Sequence, residues 1–225
     1  MHWTHPKPAI RGLGLCVALV AFALSYWQFG RHEERNLGRE AALAQQAKPR
    51  LGHPEVPEAA DAWREGLWAG RFQPPAVLVA GRTLKGERAY GVAGVFKLNG
   101  GEKLVVDLGT VPAEDVADVL AKLPFGLAAA GMHMNDDYRE IGGLIQLATG
   151  QTGVEPVSGH GTRVWPGPSW ASIVPALGST LPVYLVAGEP GGSTKANTYL
   201  YGLTSGFEPV PPYDETSRYY AWQWA

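Results

Sequence analysis

Six histidines (His2, His5, His32, His53, His133 and His160), a single cysteine (Cys16) and scattered serines and carboxylates are the side chains that chemistry would use in this 225-residue chain. No two of the histidines fall at the spacing of a metal site. His133 with Asp136 and Asp137 is the closest approach to a divalent-cation cluster, and its composition is that of a solvated loop. The segment Gly188 to Lys195 has the glycines of a phosphate-binding loop. Ser193 and Thr194 separate Gly192 from Lys195, however, so the required Gly-Lys-Ser/Thr is absent. Gly167-Pro168-Ser169-Trp170-Ala171 approaches the nucleophile elbow of hydrolases but has Ala171 where a second glycine belongs. Pro168 and Ser169 suit a helix start better, with Ser169 as N-cap. No carboxylate pair stands out as acid and base. The expectation is a chain that is not an enzyme, with no catalytic residue and no metal. An anchored extracytoplasmic enzyme is the alternative that these residues support least.

The elements that would hold such side chains begin with an apolar run. From Gly12 to Phe29 the chain carries no charge, and Arg11 and Arg31 flank the run. At about 1.5 Å per residue it would make roughly 27 Å of helix, close to the ~30 Å hydrocarbon core of a bilayer. Tyr26, Trp27 and Phe29 lie at its far end, where amphipathic rings favour the headgroup level. A cleaved signal peptide is the rival, with Ala21-Phe22-Ala23 as the cleavage site. The hydrophobic run continues past Ala23 into the aromatic end, which favours a retained anchor. Cys16, preceded by Leu15, makes no lipoprotein site and reads as a buried thiol of the membrane helix. One cysteine excludes an intramolecular disulfide framework. Lys7 and Arg11 on one side and Arg31, Arg35 and Arg39 on the other leave orientation undecided by charge.

The remaining ~195 residues suffice for one domain with a sizeable core. Glycine (29) and proline (18) together are about a fifth of the chain, well above the ~12% average. That surplus suits a turn-rich β domain. A net charge of −2 excludes the basic footprint of a nucleic-acid binder. Residues 32 to 50 read as a polar continuation of the helix, and Leu51 to Ala60 as a linker. Strands are expected at Gly66–Phe72, Ala76–Ala80, Tyr90–Leu98, Lys103–Asp107, Glu140–Leu147 and Pro182–Ala187. Asn99-Gly100 is expected to turn a hairpin, since both turn positions tolerate positive φ. Val116, Val119, Leu120 and Leu123 recur at helical spacing, with Glu114 and Asp115 in the first turn. A short helix is expected around Ser169 to Val174, and Gly191 to Tyr213 reads as loop. The chain ends in the aromatic cluster Tyr219 to Trp224.

Taken in order, these segments resemble the surfeit locus protein 1 family, membrane proteins that assist assembly of haem-copper cytochrome oxidase. Trp27-Gln28-Phe29-Gly30-Arg31 resembles the family's Trp-Gln-x-x-Arg signature after its first membrane helix. Gly70-Arg71-Phe72, Val77-Leu78-Val79, Arg82, Gly86 and Tyr90-x-Val92 resemble its first strands. Leu104 to Pro112 resembles its Val-Leu-Val-Asn-Arg-Gly-Trp-Val-Pro strand. Tyr220-Ala221-x-x-Trp224 resembles the start of its second membrane helix. Departures are specific: Leu108 and Thr110 replace the family's Arg and Trp, Val95 a common Pro, and Ser217 a histidine implicated in haem binding. A seryl hydroxyl is a poor iron ligand where imidazole is a standard one.

The reading is therefore an α+β protein, β-rich and mainly antiparallel, with short helices and an N-terminal transmembrane anchor. A second membrane helix is only begun or missing at the C-terminus. Its expected parts are a cytoplasmic N-terminus (1–11), a membrane helix (12–31), a polar helical extension and linker (32–60), a β-rich extracytoplasmic domain (61–213) and an aromatic membrane-proximal segment (214–225). The resemblance implies a non-catalytic role in oxidase biogenesis at the inner (plasma) membrane, with the domain on the periplasmic or intermembrane side. The alternative is a permanently bound accessory subunit of a respiratory or other membrane complex. Partners would be the membrane and a haem-copper oxidase subunit, met by Trp27, Gln28, Arg31, Tyr220 and Trp224. No resident cofactor is expected; haem is the one that the resemblance allows.

Overall fold

A computed structural model describes residues 8–123, 139–188, 198–199 and 203–204. The described residues fall into two compact units, one ending at Leu43 and the other starting at Ala44. Helix α1 (Pro8–Gln46) opens with a proline, whose missing N–H costs nothing in a first turn. It then runs through Leu, Ala and Val without another proline. From Gly12 it is long and apolar enough to cross a membrane, with mean hydropathy 1.7 over its most apolar stretch. Leu13, Leu15, Val17, Leu19 and Phe22 are 61–69% exposed. Side chains this apolar and this bare are stable only against lipid or another apolar partner. Cys16, read as a thiol of the membrane helix, is on that exposed apolar surface too. The helix does continue into the polar segment and ends three residues before Pro49.

The second unit is built from β1 (Leu51–Gly52), β2 (Glu65–Leu84), β3 (Glu87–Leu98), β4 (Lys103–Pro112), β5 (Arg139–Leu147), β6 (Val157–Gly159), β7 (Thr162–Trp165), β8 (Val183–Ala187), β9 (Thr198–Tyr199) and β10 (Leu203–Thr204). Helix α2 (Val116–Lys122) follows β4, and α3 (Trp170–Ala176) lies between β7 and β8. Strand β2 pairs antiparallel with β3, β3 with β4, and β5 with both β2 and β8, while β8 runs parallel to β4. The ladder thus returns to its start. Five strands form a closed ring without a free edge.

Alternation along the strands sorts side chains into two clusters. Phe72, Leu78, Phe96, Val106, Ile145 and Leu185 point inward, and Val116, Val119 and Leu120 of α2 join them. Phe72 and Phe96 meet edge to face at 4.9 Å. Val77, Val79, Val95 and Val105 point outward and are covered by Trp165 and by Trp170 and Ile173 of α3. A wall apolar on both faces explains why Leu104 to Val111 reads as a nearly continuous hydrophobic run.

Several elements differ from expectation in ways the chain explains. The strands expected at 66–72 and 76–80 are one strand, β2, whose register jumps between Gln73 and Val77. Pro74 and Pro75 sit in that bulge, where a missing N–H removes no ladder bond. The β3–β4 hairpin forms, but its positive φ belongs to Gly101 (101°), neither to Asn99 nor to Gly100. Gly101 N–H donates to Leu98 O at 3.0 Å and Leu98 N–H to Glu102 O at 2.8 Å, the arrangement of a three-residue loop with a bulge. The expected linker contributes β1, parallel to β2, and the expected loop after Gly191 contributes β9 and β10.

Candidate functional site

Polar chemistry gathers at the end of the α1 apolar run and in the barrel wall, among other places in the described residues. At the first of these, Trp27 and Arg31 are four residues apart and so share a helix face. The Arg31 guanidinium carbon lies 5.2 Å from the Trp27 ring centroid, within cation–π reach. Both are exposed, Trp27 by 51%. Gln28, rotated by about 100°, is half-buried and lies on the side of His32 and Asn36, which are 5% and 8% exposed. Asn36 Nδ2 sits 3.1 Å from His32 Nε2 and 3.2 Å from Nδ1. The helix therefore carries two faces at this level: an open aromatic–cation face and a covered polar one.

The second place is in the barrel wall. Asp107 points outward in the same row as Val105, in a strand made otherwise of Leu, Val, Gly and Thr between its terminal Lys103 and Pro112, and its side chain is 4% exposed. Arg82 of β2 reaches it across β3, forming a close ion pair through Nη2. Nη1 donates to Thr110 Oγ1 at 3.3 Å, and the Gly109 N–H donates to Asp107 Oδ1 at 3.2 Å. The crossing is possible because the strand between presents Gly91, where a Cβ would stand 2.6 Å from Arg82 Nε. Burial pushes the Asp107 carboxyl above the usual carboxylate range, and the charge and hydrogen bond of Arg82 and the Gly109 N–H pull against it. A carboxylate so enclosed, with its acceptors already engaged, offers nothing to a substrate. The pair stitches β2 to β4 over β3.

Leu108 and Thr110, the departures from the family strand, are accounted for here. Leu108 is fully buried in the inward cluster, a placement worth about 1.5–3 kcal/mol for a side chain of its size. Thr110 takes the Arg82 hydrogen bond. Ser169 stands at the N-cap position of α3. Its carbonyl accepts from the Ser172 and Ile173 N–H groups while its hydroxyl makes no cap bond. Ser172, missed in the sequence, ties the preceding loop down by donating to Gln151 O at 2.8 Å and accepting from Val154 N–H at 3.0 Å. Among the described residues no group of three His, Cys, Asp or Glu side chains could hold a metal ion.

His32, the imidazole just beyond the apolar run, is covered, with its ring against the Asn36 amide. Ser217, Tyr220 and Trp224, with His133, Asp136, Asp137 and most of the glycine-rich segment up to Lys195, lie outside the described residues.

The sequence model of the SURF1 family matches residues 15–225. No curated protein matches the chain. With nearly its whole length covered, the chain belongs to the SURF1 family, a family known for cytochrome oxidase assembly.

Proposed function

We propose that this SURF1-family chain is a non-catalytic protein, held by α1 in the inner (plasma) membrane, that acts in the biogenesis of a haem-copper cytochrome oxidase. The β barrel stands on the periplasmic or intermembrane side in this reading. The observation that carries it is the family match from residue 15 onward, which takes in the apolar helix and the barrel together. The open Trp27–Arg31 face supports it further, since an exposed aromatic–cation pair at the end of the apolar run suits contact with a membrane-embedded partner. Trp27→Ala is expected to lower recovery of oxidase subunits with the tagged chain after mild detergent extraction, with membrane insertion unchanged. Undiminished recovery would reduce Trp27 to lipid anchoring.

A second reading, a permanently bound accessory subunit, draws on the departures. Leu108 is committed to packing where the family carries an arginine, and Ser217 stands where the family carries a histidine. Stoichiometry separates the two. An assembly factor is recovered with oxidase intermediates and is depleted from the mature enzyme, whereas an accessory subunit stays at one copy per enzyme through purification.

A further inference from the structure

At the end of the barrel where β3 begins and β4 ends, three side chains gather that neither the ion pair of the wall nor the membrane helix uses. Tyr90 is 7% exposed, belongs to the inward cluster and pairs with Val111 next to the end of β4. Arg88, two residues earlier on the same strand face, donates from Nη2 to Tyr90 Oη at 3.0 Å, with its guanidinium carbon 5.5 Å from the Tyr90 ring centroid. His160, at the tip of the β6–β7 hairpin, meets the same ring edge to face at 5.3 Å. We propose that Arg88, Tyr90 and His160 form an oxyanion-binding site at the barrel rim, taking the carboxylate or phosphate group of a ligand.

Three observations converge on that chemistry. Arg88 is exposed and faces no described carboxylate, unlike Arg50, Arg64 and Arg82, each of which is paired. Tyr90 Oη accepts from Arg88, so its own proton remains to be donated, and it adds a third kind of donor to guanidinium and imidazole. Charge-assisted donors of this kind make the strong contacts to carboxylate and phosphate. The third observation is conformational. The β6–β7 turn has two residues, His160 (φ 49°) and Gly161 (φ 74°), both left-handed. Asn, Asp and Gly are the usual residues at the first position of such a turn, and histidine too is enriched at positive φ. Histidine at that position puts an imidazole on Tyr90. Barrel mouths with a few convergent polar groups are recurrent ligand sites.

The test uses the full chain in a phosphate-free maltoside detergent, with histidine and tyrosine rings labelled for NMR. Inorganic phosphate and acetate are titrated separately at constant ionic strength against chloride. The site predicts saturable shifts of the Tyr90 and His160 ring signals together, while exposed His53 stays still. Arg88→Gln is expected to weaken the apparent affinity tenfold or more. His160→Asn, which keeps a residue that the turn accepts, is expected to weaken the Tyr90 response at least threefold without lowering the unfolding midpoint. Tighter binding of phosphate assigns the site to a phosphoryl group, and tighter binding of acetate to an acidic side chain of a partner. Shifts that fail to saturate with both anions, or a saturable shift unchanged in Arg88→Gln and His160→Asn, would overturn the proposal.

Discussion

Replacing Arg82 by methionine keeps most of the aliphatic stem that crosses Gly91 but removes the cation that Asp107 faces. The carboxylate left behind is 4% exposed and retains a single described donor, the Gly109 N–H at 3.2 Å. Breaking a buried pair from this side strands a charge with no path to water, at a cost of about 3–5 kcal/mol. Asp107→Asn is the asymmetric counterpart. It leaves Arg82, whose side chain is 20% exposed and still reaches Thr110, so water can compensate it. That loss should be nearer 1–2 kcal/mol, the range of an ordinary lost hydrogen bond to a charged group. The double variant should be more stable than Arg82→Met alone, since the neutral amide that Asp107→Asn introduces no longer needs a cation.

The pH dependence follows from the same burial. A carboxyl raised above its unfolded value takes up a proton in the folded state first. Its contribution to stability is therefore full below the unfolded value and falls as pH rises through the folded one. Removing Arg82 takes away the main opposing pull, so the Arg82→Met deficit should shrink on acidification and be complete at neutral pH. Guanidinium unfolding of the full chain in detergent, followed by tryptophan fluorescence across that pH range, reads all three variants. Equal losses for the two single variants, strict additivity in the double and no pH dependence would refute the reasoning.

Gly91→Ala places a Cβ against Arg82 Nε, the movable end of a side chain, and should cost about 1–2 kcal/mol by loosening the ion pair. Gly143→Ala places it on the backbone carbonyl of Val186 across the β5–β8 ladder, which cannot yield, and should cost about 3 kcal/mol or prevent folding. Thermal unfolding of both variants checks the order. Alkaline phosphatase fused after Pro49 should be active if the barrel lies outside the cytoplasm; an inactive fusion with an active cytoplasmic reporter in its place would reverse the topology.

The parts legible in the sequence were those whose signal is local. The α1 apolar run, the α2 periodicity from Val116 to Leu120 and the strands around Tyr90–Leu98 and Glu140–Leu147 each carry their own pattern. Trp27 and Arg31 could be brought together because helical spacing alone does it. Ring closure was not legible, since the parallel pairing of β4 with β8 joins residues about eighty positions apart and has no local signature. The β6–β7 hairpin was missed because its strands are only three and four residues long. Its one signal, His160-Gly161, resembles a turn dipeptide only if histidine is allowed a positive φ. The Arg82–Asp107 pair did leave a trace. A carboxylate inside the run from Leu104 to Val111 demands a buried cation, but only the glycine of the intervening strand reveals which one.

The claim that the chain serves oxidase biogenesis is tested most directly by purifying the haem-copper oxidase from cells that lack the chain and measuring haem and copper per subunit I. The account predicts a lowered metal and haem content, restored by the wild-type chain, with the chain itself absent from the mature enzyme. Fully loaded, active oxidase without the chain would contradict it.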